Sequence, residues 1–122
     1  ISLPRLQVPN YDPTEYGTAR IQVTATDGAK VPVSLVFHKS LVSEDGLPKA
    51  PAPMHLYGYG SYGMCMDPYF SFKRLPLLNR GVVYAVAHIR GGSEMGSSWY
   101  EDQVRLPRAV PTALVTLVHF SL

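Results

Sequence analysis

The chain holds a single cysteine, Cys65, in 122 residues. One thiol excludes an internal disulfide framework and a cysteine-based zinc cluster. It suits a reducing compartment, and a cytoplasmic setting is the expectation. Charge of either sign is scarce: charged residues make up 16%, and eleven Lys and Arg against nine Asp and Glu leave +2. With no Lys/Arg-rich run, that balance gives no reason to expect a nucleic-acid partner. Long apolar runs are lacking too. The longest, Val82 to Ile89 and Ala113 to Leu122, fall short of the roughly 20 residues of a membrane-crossing helix, so no membrane partner is expected. The start, Ile1-Ser2-Leu3-Pro4-Arg5, lacks the basic and apolar parts of a signal peptide. It also lacks an initiator Met, so the chain reads as beginning within a longer protein. There is no internal repeat and no low-complexity tract.

Hydrophobic residues are plentiful at 46%, enough for a packed core. Eleven prolines and ten glycines cut the chain into short pieces. Ser2 to Tyr16, with Pro4, Pro9 and Pro13, is a connector that cannot hold a long helix. Arg20 to Ala25 alternates polar and apolar, as a half-buried strand does. Asp27-Gly28 is a hairpin signal, and Val31 to Phe37 follows with Val31, Val33, Leu35 and Phe37 on one face. These predict a β-hairpin.

Ser43 to Pro53 reads as a loop. Met54 to Tyr57 predicts a short buried strand that runs into the glycine-rich Gly58 to Gly63. Asp67 to Leu78 predicts a short helix begun at Pro68 and limited by Pro76. Val82 to Ala87 is continuously apolar, which predicts a strand covered on both faces. Gly91-Gly92 ends it. Hairpin, strand, short helix and strand together give an α/β class, a mixed sheet with helices packed on it.

Gly58-Tyr59-Gly60-Ser61-Tyr62-Gly63 matches G-x-G-x-x-G after a strand, and Arg90 stands where an NADP enzyme holds the 2′-phosphate. An NADP-binding β–α–β unit is therefore one alternative. Against it, Met64 to Pro68 delays the helix whose N-terminus a pyrophosphate needs. A nucleophile elbow requires G-x-S-x-G. Ser61 has Tyr59 where the first glycine belongs, and Ser93 has Met95 where the second does, so both read as turn serines. The four histidines do not cluster, and no metal or other cofactor is expected. His55 and His88 fall within apolar strands, where a hydrogen-bonded core or boundary role is expected. Two readings of the tyrosine-glycine loop stand side by side. A phenol at the carboxyl end of a strand can donate into a crevice where α/β folds place ligands, or the tyrosines pack as boundary residues around a tight turn.

Leu56-Tyr57-Gly58-Tyr59-Gly60-Ser61-Tyr62-Gly63, Asp67-Pro68-Tyr69-Phe70-Ser71, Leu77-Leu78-Asn79-Arg80-Gly81, Arg90-Gly91-Gly92-Ser93-Glu94-Met95-Gly96 and Trp99-Tyr100-Glu101-Asp102 resemble, in order and spacing, the prolyl oligopeptidase family of serine peptidases. The spelling is closest to its oligopeptidase B branch. Val8 to Pro13 and Asp27 to Ser34 resemble that branch as well. The resemblance implies an α/β-hydrolase domain joined to a β-propeller. Residues 1–12 would be the connector from the propeller, residues 13–102 the N-terminal part of the catalytic domain, and residues 103–122 a divergent tail. It implies that Tyr59 is an oxyanion-hole donor and that Tyr62 lines the pocket for the residue before the cleaved bond. Asp67 matches an acidic position that binds Arg or Lys side chains of short peptide substrates. Its other reading is an N-cap for the helix near Pro68. After Asp102 nothing matches the family, and the serine, aspartate and histidine of a triad are absent from these residues. The expectation is a piece of a serine oligopeptidase that cleaves after basic residues, itself inactive, with a catalytically dead remnant as a further alternative.

Overall fold

A computed structural model describes residues 8–46 and 48–105. The expected connector is described from Val8 onward, and residues 106–122 of the expected tail lie outside the described residues. Asp12 caps a 3-10 turn, Pro13–Glu15, by accepting the Thr14 N–H at 2.8 Å. Strand β1 (Tyr16–Thr24) then pairs antiparallel with β2 (Lys30–His38), from Tyr16 opposite His38 to Thr24 opposite Lys30. At the turn Gly28 has φ +87°, which glycine adopts without steric cost, and its N–H donates to the Ala25 carbonyl at 2.9 Å. The predicted hairpin is present: β1 starts before its predicted run and ends one residue short of it, and β2 extends one residue beyond its run at each end.

Strand β3 (Met54–Gly58) lies parallel to β4 (Val83–Ala87), and β4 lies antiparallel to β2, giving the order β1-β2-β4-β3. Val83, Ala85, Val86 and Ala87 are all buried, as a continuous apolar run in a central strand requires. On one face, Val33, Leu35, Val83, Ala85 and Ala87 form the core, with Ile21, Phe37, Leu41 and Met54 packed around it. The other face carries Ser34, Val36, Tyr84 and Val86. With the segment from Pro68 to Leu78 and the tyrosines 11 and 16, it encloses a cavity of about 570 Å³.

Two expectations need correction. Strand β3 is not buried: it is an edge strand in which His55, Leu56 and Tyr57 are exposed, because among the described residues it pairs with β4 alone. His55 is therefore exposed, not in the expected hydrogen-bonded core or boundary role, and its ring stacks on Tyr84 with centroids 5.0 Å apart. The helix over Asp67 to Leu78 is also shorter, a 3-10 turn at Phe72–Arg74 running into α1 (Leu75–Leu78). Residues before it are spent on aromatic contacts instead. Phe70 packs on Tyr11 at 5.0 Å, and the Arg74 guanidinium lies over the rings of Tyr69 and Tyr84 at 4.7 and 4.4 Å. Ser71 is extended, so the helical turn starts only after it.

Candidate active site

Strands β3 and β4 run the same way, so the loops leaving their carboxyl ends emerge side by side. That edge is where α/β sheets form ligand crevices. The two loops touch through glycine. A Cβ on buried Gly60 would stand 2.6 Å from Ile89 Cγ1 and would run into the Arg90 carbonyl, while Gly91, at φ +96°, abuts the Gly60 carbonyl. The Gly63 N–H donates to the Gly91 carbonyl at 2.9 Å, and Ser93 Oγ donates to the Gly63 carbonyl at 2.7 Å. Helix α2 (Ser97–Arg105) adds a backstop: the Gly91 N–H donates to the Trp99 carbonyl at 3.1 Å, and Trp99 Nε1 donates to the His88 carbonyl at 3.2 Å.

The glycine pattern is thus a packing pattern between two loops. It does not open a helix: no helix occupies residues 64–71, and the next is the 3-10 turn at Phe72–Arg74. Arg90, the other prop of the NADP alternative, is held by Asp27 at 2.5 Å. Both supports of a dinucleotide site are therefore missing. Ser61 and Ser93 are turn serines as expected, with the Ser61 carbonyl accepting the Met64 N–H at 3.1 Å.

Tyr59, Tyr62 and Asp67 all lie on the loop after β3, in different settings. Tyr59 is half-buried between Gly58 and Gly60, and its hydroxyl bonds to no other described residue. Tyr62 is 81% exposed. It has φ +55° and precedes Gly63 at φ +68°, so a bulky residue occupies the first left-handed position of a tight turn. Such strain in a non-glycine residue is commonest at functional sites. Asp67 is exposed and caps no helix; the cap of the following turn is Ser71. None of the three lines the 570 Å³ cavity on the sheet face.

The sequence reading placed His88 correctly in a hydrogen-bonded core role and gave Glu94 no role. His88 is 2% exposed, and its Nε2 lies 2.8 Å from Ser34 Oγ. Glu94 Oε1 accepts the Met66 N–H at 2.9 Å and lies 3.6 Å from His88 Nδ1. A signal was present: an acid two residues after a pair of glycines, in a motif with no other charge after Arg90. Among the carboxylates, Asp27 is held below its ordinary range by the Ala29 N–H and then by Arg90, and Asp12 by the hydroxyl and N–H of Thr14. Among the described residues, no group of three or more potential metal ligands stands together, and no helix is long and apolar enough to cross a membrane.

An antiparallel hairpin feeding a parallel pair in the order β1-β2-β4-β3, with glycine-linked loops at the carboxyl edge, is the opening of an α/β-hydrolase sheet. Residues 68–109 match the model of the prolyl oligopeptidase family, so the match runs past Asp102, where the family resemblance was expected to end. The chain is 55% identical over 96 residues to dipeptidyl aminopeptidase BI of Pseudoxanthomonas mexicana, covering 78% of this chain and 13% of that protein. It is 47% identical over 92 residues to protease 2 of Moraxella lacunata, covering 75% of this chain and 13% of that one. Among solved structures, oligopeptidase B from Leishmania major superposes with a TM-score of 0.70 at 47% identity, over 78% of this chain and 12% of the other. The chain belongs to the prolyl oligopeptidase family of serine peptidases. It spans about one-eighth of the length of these relatives.

Proposed function

We propose that this chain supplies one side of the catalytic crevice of a serine oligopeptidase that cuts short peptides after Arg or Lys. Residues 1–12 are the connector from a propeller, residues 13–102 the N-terminal part of the catalytic domain, and residues 103–122 a divergent tail. In the reaction a serine attacks the scissile carbonyl, a histidine takes its proton, and the carbonyl oxygen becomes an oxyanion. Tyr59 donates its O–H to that oxyanion, beside a backbone N–H next to the serine. Tyr62 lines the pocket for the residue before the cleaved bond, and the Asp67 carboxylate attracts the substrate's basic side chain.

One observation carries this reading: a half-buried phenol without a hydrogen-bond partner among the described residues stands at the carboxyl end of a parallel strand, between glycines that leave the loop close-packed. These 122 residues contain no G-x-S-x-G, so the chain alone is inactive. A fluorophosphonate probe tests this. The isolated chain stays unlabelled, and a protein in which it continues into the catalytic-serine segment of an oligopeptidase B is labelled and turns over Arg- and Lys-ending reporters. Turnover by the isolated chain, blocked by a serine-directed inhibitor, would refute the assignment.

A further inference from the structure

We propose that Glu94 is the positioning residue of the Tyr59 loop. The loop after β3 is tied at its near end by glycine contacts, Gly60 on Arg90 and Gly63 on Gly91. Its far end has a different tie. Glu94, with its side chain 7% exposed, reaches back from the β4 loop so that Oε1 accepts the Met66 N–H at 2.9 Å. The same oxygen lies 3.6 Å from Nδ1 of His88, whose Nε2 meets Ser34 Oγ at 2.8 Å in the middle of β2. A line of polar contacts thus runs from the centre of the sheet through His88 and Glu94 to the loop.

Gly92 makes room for it. A Cβ there would stand 2.8 Å from the Met64 carbonyl and run into Glu94 Oε2. The arrangement is costly: Glu94 Oε2 and His88 Nδ1 are both buried without a hydrogen-bond partner, and an apolar side chain would avoid that penalty. An apolar side chain could not hold the Met66 N–H. Ser34, His88 and Glu94 stand in the order of a catalytic triad, but Ser34 is no nucleophile. It sits mid-strand with Arg20 of β1 on one side and Val86 of β4 on the other, so its backbone has no N–H free to hold an oxyanion. The line of contacts fixes a loop; it does not attack a carbonyl.

By holding Met66, Glu94 fixes the span from Tyr59 to Asp67. Its catalytic consequence rests on the oxyanion reading of Tyr59, whereas its structural effect does not. Amide hydrogen exchange on the 122-residue chain separates the two. In Glu94→Ala, exchange at Met66 and its loop neighbours speeds up about tenfold or more, while amides of β1 and β2 change by less than about threefold. Glu94→Gln, which keeps an acceptor for the Met66 N–H, stays within about threefold of the parent throughout. An alanine variant whose loop is unchanged, one whose loop and hairpin accelerate together, or a glutamine variant as damaging as alanine each overturns the proposal. If the exchange pattern holds while Tyr59 proves dispensable for turnover, the oxyanion reading falls and the positioning role stands.

Discussion

The centre of the sheet and the crevice at its carboxyl edge are built by opposite means. Strand β4 is held by side chains: Val83, Ala85, Val86 and Ala87 are buried between β2 and β3. The crevice a few residues further on is held mainly by backbone and by missing side chains. Gly60 and Gly91 press together, Gly63 bonds to Gly91, and a buried acid holds Met66. Apolar burial is nondirectional and tolerates conservative swaps. Glycine contacts and a carboxylate strap fix direction, which a donor aimed at a developing charge requires. The sheet is a platform, and the crevice is a device mounted on it.

Substitutions on each side of that divide should behave differently. The largest stability effect is expected at the platform. Leu35, 5% exposed in the core, when truncated to Ala should cost about 2–5 kcal/mol. In denaturant titrations, sheet and crevice probes should lose stability together, since the loops have no independent core. A loss confined to the hairpin would contradict the mounting.

Gly60→Ala comes next. The added methyl has no room against Ile89 and the Arg90 carbonyl, and forced displacement of this kind costs about 1–3 kcal/mol. Faster amide exchange should appear in residues 59–66 and 89–92, with the hairpin protected. A variant with a native crevice would show that the glycine contact is dispensable.

Tyr62→Gly should act in the other direction. Relief of the left-handed conformation offsets glycine's added chain entropy, leaving about 0–1 kcal/mol of gain in thermal unfolding. A clear loss would mean that the exposed ring makes contacts worth more than the strain.

The smallest effect concerns the Asp27–Arg90 pair, which joins the hairpin turn to the loop after β4. The Asp27 carboxyl is depressed below its ordinary 3.8 by the Ala29 N–H and by Arg90. The stability it contributes is therefore present above 3.8 and lost as pH falls through the depressed value. Asp27→Asn should be slightly less stable than the parent near neutrality, and the two should converge at lower pH. A gap that persists unchanged into acid would rule out the carboxylate as its source.

How much of this was legible in the sequence follows the same divide. The hairpin was legible because its period-two pattern and Asp27-Gly28 turn are local signals. The central position of β4 was legible because a strand covered on both faces is continuously apolar. Strand β3 misled because Met54-His55-Leu56-Tyr57 is apolar in composition but has a neighbour on one side only among the described residues. The stretch from Asp67 to Ser71 misled because the packing of Phe70 on Tyr11, distant in sequence, and of Tyr69 under the Arg74 guanidinium overrode its helical signals. The glycine loop was visible as a motif, yet its chemistry was not: G-x-G-x-x-G reads equally as a phosphate cradle until Arg90 and Gly91 are seen packed against it. Glu94 was missed because its partners, Met66 and His88, come from two other segments.

In the proposed function Tyr59 is an oxyanion donor and not a packing residue. The direct measurement is kcat and KM for Tyr59→Phe in a protein that carries this chain together with the catalytic-serine segment. Removing the hydroxyl alone deletes a hydrogen bond that is stronger in the transition state than with the bound substrate. An oxyanion donor at this position predicts a fall in kcat of roughly 10²- to 10³-fold with KM nearly unchanged. A variant that keeps more than about half its kcat would contradict the claim and return Tyr59 to the role of a boundary residue, since one oxyanion donor is worth about 3 kcal/mol.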